Sequence, residues 1–212
     1  MCGISASFIK SEKNKYWDLL RNSEIRGQDG TGFALYKWNR PGHFVIQKND
    51  KKASLITDFP ELKGKDFVVG QNRLAIFGLE KQNIQPIVTE RTILVHNGNL
   101  YDFEKTFKEE GLKRELEVDS ELILRLWEKY ENIDEVKKRL KGDYACILVV
   151  RNWRVRKQGR GRKIIIFKKY KPIYYYEDDT GLYYYSTAQI GKKTFGVEGT
   201  PLKNNEVVIK TI

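Results

Sequence analysis

The chain has 212 residues, and its 40% hydrophobic and 12% aromatic content can fill the core of one sizeable domain, which excludes global disorder. Two cysteines and two histidines are too few for a disulfide framework or a zinc finger, and neither a signal peptide nor a run of about 18 apolar residues occurs. The formal net charge is +11, yet residues 151–171 hold ten lysines and arginines and no acid, so the rest of the chain is close to neutral. We therefore expect one cytoplasmic domain spanning residues 1–212, without a membrane contact.

The first half of the chain is predicted to consist of strands that run into polar clusters. After the first strand, Ser11 is placed to cap a helix that carries Tyr16 and Leu19 on its apolar side. Binding and catalytic groups are commonly built where strands end in polar residues. The predicted strands are residues 3–9, 33–38, 67–70 and 92–95.

The middle of the chain is predicted to be helical and the last third to be rich in strands. Apolar residues recur at helical spacing between Asp119 and Tyr130, and a shorter helix follows near residues 133–140. Cys146 lies in an apolar run typical of a buried strand, so we interpret it as a core residue. Strands on either side of two helices indicate layered α and β structure rather than a parallel βαβ series. The later strands are predicted at 143–150, 163–169, 172–177, 182–187 and 206–210.

Cys2 is the thiol that is placed for chemistry. A residue as small as cysteine at position two normally permits removal of Met1, which leaves a free α-amino group on the same residue as the thiol. That amine, with a pKa of about 8, can take the thiol proton directly or through a water molecule. The alternative is that Cys2 merely begins a strand, and the four residues Met-Cys-Gly-Ile do not decide between the two.

Six short segments follow one another along the chain: Met1-Cys2-Gly3-Ile4, residues 26–32, residues 70–75, Gln85-Pro86-Ile87, residues 96–100 and Asp119-Ser120-Glu121. Together and in this order they resemble the class II glutamine amidotransferase family, the glutaminases of the N-terminal-nucleophile hydrolase type. Two later segments, residues 171–175 and 185–188, resemble later strands of that family more loosely. The match therefore covers most of the chain.

The resemblance implies an α+β fold, a four-layer α/β/β/α sandwich with two mostly antiparallel sheets. It also implies that Cys2 cuts ammonia from the side chain of L-glutamine through a γ-glutamyl thioester, without a metal or an organic cofactor. The side-chain amide of Asn97 and the backbone N–H of Gly98 would then form the pair of donors that stabilises a tetrahedral oxyanion. The alternative for Asn97-Gly98 is an ordinary turn between two strands.

Four further residues are expected to bind the substrate. Arg73 lies just past the strand that ends near residue 70, and its guanidinium suits the α-carboxylate of glutamine, with a surface ion pair as the alternative. Asp119 would hold the α-ammonium, although its place before a helix also suits an N-cap, and its two oxygens allow both. Leu74 and His96 complete the predicted substrate site.

The Gly-rich segment 26–32 resembles a loop that closes against the nucleophile. We expect Arg26 and Asp29 to support this loop by pairing with each other rather than to touch substrate. Gln71 departs from the family pattern, which usually has histidine at that position. The thiol mechanism needs no imidazole, so this departure leaves the proposed chemistry intact.

The basic stretch, residues 151–171, is the clearest indication of a partner. It is predicted to form a glycine-tipped hairpin between two strands, and this surface suits nucleic acid, an acidic protein subunit or solvent alone. Because the sequence ends at Ile212 without a synthase module, we expect a separate protein subunit to receive the ammonia. The candidate contact residues in the hairpin are Arg154, Arg156, Lys157, Arg160 and Arg162.

Two other functional classes remain open from the sequence. The same fold and N-terminal cysteine would serve a hydrolase of another γ-glutamyl amide. Alternatively, the chain is a non-catalytic regulatory or nucleic-acid-binding module on that fold. Labelling of Cys2 by a glutamine-like electrophile would separate these classes from a glutaminase.

Overall fold

The computed structural model of the chain describes residues 1–40, 43–74, 81–155 and 159–212, and for residues 152–155 and 159–161 it describes the backbone alone. The strands in these ranges are β1 (Gly3–Ile9), β2 (Gly30–Tyr36), β3 (Phe44–Asn49), β4 (Phe67–Arg73), β5 (Ile87–Val88), β6 (Thr92–Leu100), β7 (Gly142–Val155), β8 (Gly159–Lys169), β9 (Tyr174–Glu177), β10 (Gly181–Tyr185), β11 (Thr200–Pro201) and β12 (Val207–Thr211). The α-helices are α1 (Tyr16–Asn22), α2 (Phe103–Glu109), α3 (Glu121–Tyr130), α4 (Ile133–Arg139) and α5 (Ala188–Phe195). Short 3₁₀ helices lie at Ser23–Arg26, Ala53–Leu55 and Lys81–Asn83.

The strands form two sheets in which neighbouring strands are antiparallel. The first sheet has seven strands in the order β11-β9-β10-β1-β4-β2-β3, and the second has five in the order β12-β8-β7-β6-β5. Strands β1 and β4 lie side by side in the middle of the first sheet, with β2 and β10 on their outer sides. A central strand that is covered on both faces buries nearly all of its side chains, which explains why all but one of the residues in β1 are fully buried.

The two sheets pack face to face and are covered by helices on their outer faces. Ile4 and Val69 of the first sheet meet Val95 and Ile147 of the second in the central core. On the outside of the first sheet, α1 and α5 contribute to a core with Phe33, and on the outside of the second sheet α3 and α4 contribute to another. This is the predicted four-layer α/β/β/α sandwich, and the expected α+β class is confirmed.

The apolar periodicity located α3 to within two residues, but the predicted cap of α1 was wrong. Helix α1 begins at Tyr16, whose N–H donates to the side-chain Oδ1 of Asn14 at 2.9 Å. The N–H of Ser11 donates instead to the carbonyl oxygen of Thr180 at 3.3 Å, which ties Ser11 to the β9–β10 connection. Ser11 therefore lies too far from the helix to cap it.

Cys146 lies in β7 and is fully buried, as predicted for a core residue. Its side chain belongs to the core between the second sheet and the helices. Burial raises the pKa of this thiol well above its usual value. Cys146 is therefore chemically inert at neutral pH.

Strands β7 and β8 pair with each other in the basic stretch, as expected for the two arms of the predicted hairpin, whose connecting residues 156–158 lie outside the described residues. They pair in antiparallel register as far as Val155 and Gly159. Arg156 and Lys157 lie outside the described residues, and so do the side chains of Arg154 and Arg160. None of the helices in the described part of the chain has the length and apolar composition needed to cross a bilayer.

Candidate active site

A cavity of about 90 Å³ opens where the two sheets meet α3. The start of β1, the end of β4 and the second half of β6 reach it from three directions. Residues from separate sequence motifs thus line the same cavity. The predicted site residues that line the cavity are Cys2, Arg73, Leu74, His96, Asn97, Gly98 and Asp119.

Cys2 lies directly before β1 and is partly buried. Its Sγ is 3.8 Å from the carbonyl oxygen of Leu74. Burial raises the pKa of the Cys2 thiol, while the positive charges of the chain terminus and Arg73 oppose the rise. Activation of the thiol therefore requires a base close to the sulfur.

Arg73 is the last residue of β4 and only 6% exposed, so it lies within the strand rather than just past it. The N–H of Asp29 donates to its carbonyl oxygen at 2.9 Å. Gly27 of the same loop lies so close that a Cβ there would be 2.3 Å from the carbonyl carbon of Arg73. The loop therefore holds the backbone of Arg73 in place. Burial lowers the pKa of the Arg73 guanidinium while the charges of Cys2 and Asp29 oppose this shift, so binding of a substrate carboxylate and pairing with a neighbouring acid both stay predictions.

Arg26 approaches the nucleophile from the other side of the loop. Its Nε donates to the carbonyl oxygen of Cys2 at 3.5 Å. Its Nη2 is buried and has no hydrogen-bond partner among the described residues. Burial lowers the pKa of this guanidinium. Arg26 thus supports the position of Cys2, whereas its pairing with Asp29 stays a prediction.

Asn97 and Gly98 lie within β6 rather than in a turn, so the turn alternative was wrong. The strand continues in register with β7, with Asn97 opposite Ala145 and Gly98 opposite Tyr144. Asn97 is 1% exposed, and within the described ranges neither oxygen nor nitrogen of its amide has a partner. A buried amide without a partner is costly, and it is available to hydrogen-bond a ligand.

Asp119 precedes α3 and is 8% exposed. Its Oδ2 accepts the N–H of Leu100 at 2.7 Å, and its Oδ1 is 3.3 Å from the hydroxyl of Ser120. The predicted capping role was wrong, because Ser120 occupies the N-cap position and no side chain caps the helix. Asp119 is instead one of the residues that line the cavity.

His96 is buried at the back of the cavity. Its Nδ1 is 2.8 Å from the hydroxyl of Ser120 and 4.0 Å from the carboxylate of Asp119. Burial lowers the pKa of His96, Asp119 opposes this shift and Lys171 adds to it, so the imidazole is neutral at pH 7. Its Nε2 has no hydrogen-bond partner in the described part of the chain.

Gln71, the position that departs from the family pattern, joins the two sheets. It lies in β4 and is 1% exposed, and its Nε2 donates to the carbonyl oxygen of His96 in β6 at 2.6 Å. This contact fixes one sheet against the other directly beside the predicted site. Sequence analysis did not predict this role.

Several cavity residues were missed by sequence analysis. Gln85 and Ser120 lie inside the quoted segments but received no role. Lys171 was counted only as part of the basic stretch, yet its Nζ lies in the cavity wall, 3.9 Å from Asp143 Oδ2 and 3.7 Å from the sulfur of Met1. The missed residues of the wall are Asn83, Gln85, Asn99, Val118, Ser120 and Lys171.

Arg162, predicted as a partner contact, does not line the cavity. Its Nη1 donates to the hydroxyl of Tyr36 at 3.0 Å, and the guanidinium lies 4.0 Å from the centre of that ring. Part of the basic stretch is thus used within the fold, and its contact with a partner stays a prediction. Among the described residues, no group of three His, Cys, Asp or Glu side chains could hold a metal ion.

Comparison with known sequences gives one family. A profile of the glutamine amidotransferase domain matches residues 71–190. The glutamine–fructose-6-phosphate aminotransferase (isomerizing) of Bartonella quintana is 32% identical over 149 residues, 61% of this chain and 23% of the relative. A putative asparagine synthetase (glutamine-hydrolyzing) of Methanocaldococcus jannaschii is 29% identical over 186 residues, 84% of this chain and 31% of the relative. The chain thus spans less than a third of these relatives.

Comparison with solved structures gives the same architecture. The glutamine phosphoribosylpyrophosphate amidotransferase of B. subtilis, complexed with ADP and GMP, superposes with a TM-score of 0.72 at 18% identity. The match covers all of this chain and 49% of that structure. At this identity the likeness concerns the fold, and it agrees with the two antiparallel sheets and their outer helices.

Proposed function

The chain belongs to the class II glutamine amidotransferase family, and we propose that it hydrolyses L-glutamine to glutamate and ammonia through a thioester on Cys2. The observation that carries the proposal is the cavity itself. A thiol, a buried arginine, a buried amide without a partner among the described residues and a carboxylate converge there from four separate segments of the chain. This combination matches the charges and the reacting carbonyl of free glutamine.

Arg73 and Asp119 provide opposite charges for the two ends of an amino acid. The guanidinium of Arg73 accommodates the α-carboxylate with two hydrogen bonds, and the carboxylate of Asp119 receives the α-ammonium. The support for this assignment is that both side chains are buried in the wall of one cavity. Leu74 and His96 complete the walls around the substrate, with His96 Nε2 free of other partners in the described ranges.

The reaction begins with attack of the Cys2 thiolate on the δ-carbonyl carbon of glutamine. The negative charge that develops on the carbonyl oxygen is stabilised by the amide of Asn97 and the N–H of Gly98. The carbon–nitrogen bond then breaks, and the amide nitrogen takes a proton and leaves as ammonia. Water attacks the remaining γ-glutamyl thioester, which releases glutamate and restores the thiol.

The base in this scheme is the α-amine of Cys2, exposed after removal of Met1. It takes the thiol proton, gives it to the departing nitrogen, and later activates the water molecule. The imidazole of His96 is a weaker base than this amine, because burial lowers its pKa below the ordinary histidine value. A base on the nucleophile itself also meets the requirement set by the raised thiol pKa.

The ammonia is delivered to an acceptor on a separate protein subunit. Support comes from the relatives, in which at least half of the length lies outside the region matched here. Nucleic acid bound by residues 151–171 is the alternative partner. The reaction takes place in the cytoplasm, where the thiol of Cys2 stays reduced.

Substitution of Cys2 tests the function directly. Cys2→Ala should lower glutamate production by at least about 1000-fold, because it removes the nucleophile, and Cys2→Ser should also be severely impaired. The matched control is Cys146→Ala, which removes the other thiol and should retain activity. Glutamate release is measured by a coupled enzymatic assay.

Mass spectrometry of the labelled protein completes the test. A glutamine-analogue electrophile should add to Cys2 in chains that lack Met1, and added glutamine should protect against the label. Full turnover by Cys2→Ala, or a mature chain that retains Met1, would contradict the mechanism. Labelling that glutamine does not compete with would favour a hydrolase of another γ-glutamyl amide.

A further inference from the structure

A chain of hydrogen bonds runs along the cavity wall from β6 to the start of α3. The N–H of His96 donates to Oε1 of Gln85 at 2.5 Å. The Nε2 of Gln85 donates to the hydroxyl oxygen of Ser120 at 3.2 Å. Ser120 in turn lies 3.3 Å from Oδ1 of Asp119. This series of hydrogen bonds therefore links the strand that carries the proposed oxyanion donors to the carboxylate of Asp119.

The hydroxyl of Ser120 has as many partners as its chemistry allows. It has one hydrogen and two lone pairs. If it donates to Asp119, its lone pairs accept from Gln85 Nε2 and from Nδ1 of His96, which lies 2.8 Å away. This arrangement satisfies all three contacts and assigns the proton of the neutral imidazole to Nδ1. Removal of the hydroxyl would leave three buried groups without this partner.

Burial makes each member of this network important for the position of its neighbours. Gln85, His96, Ser120 and Asp119 are all 8% exposed or less. Buried polar groups are held in one orientation when every hydrogen bond is made, and they shift when one is lost. Asn97 has no side-chain partner in the described part of the chain, so its orientation depends on the backbone of β6.

We infer that Gln85 and Ser120 are positioning residues for the two halves of the site. Gln85 fixes the backbone of His96 and thereby the oxyanion donors that follow it. Ser120 fixes the carboxylate of Asp119 toward the substrate ammonium. The inference rests on the proposed roles of Asn97 and Asp119 in glutamine hydrolysis.

Two single variants separate the two positioning roles. Ser120→Ala should raise KM for glutamine about 10-fold and change kcat less than about threefold, because Asp119 keeps its bond to Leu100 but loses one orienting contact. Gln85→Met should lower kcat about 10-fold with a smaller change in KM, because displacement of the donors on Asn97 and Gly98 weakens binding of the transition state more than binding of the substrate. Initial rates over a range of glutamine concentrations give both constants.

Matched variants distinguish positioning from stability alone. Ser120→Thr keeps the hydroxyl and should restore KM to within about threefold of the unchanged protein. The hydroxyl of Thr106 in α2 is similarly buried and donates to the carbonyl oxygen of Asp102, outside the cavity. Thr106→Val removes this hydroxyl and should leave both kcat and KM unchanged. Thermal unfolding of every variant gives the fraction that is folded during the assay.

The double variant tests whether the two residues act through one network. Because Gln85 donates to Ser120, the double variant should lose a smaller factor in kcat/KM than the product of the two factors lost by the single variants. The inference is overturned if both single variants behave like Thr106→Val, or if Ser120→Thr behaves like Ser120→Ala. It is also overturned if the unfolded fraction of each variant accounts for its whole loss of activity. If Cys2→Ala keeps full turnover, the proposed function itself fails and the inference fails with it.

Discussion

At the scale of single residues, Gly98 is the most tightly constrained position beside the cavity. Its φ of +154° lies in a region that residues with a side chain rarely adopt. A Cβ at this position would lie 2.0 Å from the carbonyl oxygen of Asp143 in β7 and 2.9 Å from Nε2 of His96. Any side chain would therefore push β6 away from β7 at the proposed oxyanion donors.

Gly98→Ala should lower the free energy of unfolding by about 3 kcal/mol, through backbone strain together with the steric clash. The control is Gly111→Ala, at another positive φ of +62° where no atom lies within 4 Å of the added carbon. That variant should lose only about 1 kcal/mol. Urea denaturation measures the free energy of unfolding of both variants, and an equal loss in Gly98→Ala and Gly111→Ala would contradict the steric argument.

Two parts of the predicted site were identified before the structure was known. Cys2 was identified from its place directly after Met1 and Asn97-Gly98 from the family resemblance, and the structure brings them into one cavity. Gln85 and Ser120 were not, because a buried amide or hydroxyl serves structural purposes in most proteins. Their connection spans 35 positions of sequence and exists only as a distance between two folded segments.

At the scale of secondary-structure elements, Glu110 fastens α2 to the two helices that follow. Its Oε2 accepts from Nζ of Lys129 at 2.8 Å and from the hydroxyl of Tyr130 at 2.5 Å, and its Oε1 accepts from Nε of Arg139 at 2.7 Å. These contacts, with Lys129 first, lower the pKa of Glu110 to about 2. One carboxylate thus connects the ends of α2, α3 and α4.

The lowered pKa predicts how stability depends on pH. The carboxylate is ionised more easily in the folded chain than in the unfolded chain, where its pKa is about 4.3. Its contribution is therefore complete above pH 5 and is lost as the pH falls towards 2. Glu110→Gln should lower the melting temperature at pH 7 by about 2–4 °C, and the difference should disappear near pH 2.

The control for this pH dependence is Glu104→Gln in the same helix. Glu104 is 68% exposed in its ion pair with Arg114, and such surface pairs contribute little. Calorimetry between pH 2 and pH 7 gives the melting temperatures of the unchanged protein, Glu110→Gln and Glu104→Gln. A constant difference between Glu110→Gln and the unchanged protein at all pH values would contradict the assignment.

The periodicity of apolar residues located most elements, whereas local signals at their ends were less reliable. Helix α3 begins two residues later than predicted, and Ser11, a good capping residue by type, is bonded elsewhere. Asn97-Gly98 favours a turn in isolation, but continuous pairing with β7 keeps it in a strand. Tertiary contacts decide such cases, and they cannot be read from one segment.

At the scale of the whole molecule, the net charge of +11 is concentrated in residues 151–171. Some of these cations serve the fold, since Arg151 donates to the carbonyl oxygen of Thr89 at 3.1 Å and Lys168 is only 6% exposed. Contact of this stretch with an acidic partner stays a prediction. Association through exposed charges is fast and sensitive to salt, because ions screen it.

We expect the purified protein alone to hydrolyse glutamine slowly and an acidic ammonia-using subunit to accelerate it. Purification from the native host at low salt, with and without nuclease, should retain that subunit, and added sodium chloride should dissociate it. The control is the same preparation of Cys2→Ala, which should retain the subunit without turnover. Full turnover by the isolated protein contradicts this prediction, and salt-dependent retention of RNA or DNA on a filter favours the nucleic-acid alternative.

The contact of Gln71 with His96 lies where the two sheets meet. Cys2 and Arg73 belong to the first sheet, whereas Asn97 and Gly98 belong to the second. A nascent chain in which only one sheet has formed therefore has either Cys2 and Arg73 or Asn97 and Gly98 in place, and not both pairs. On the proposed mechanism, cleavage of glutamine begins only once the two sheets have docked.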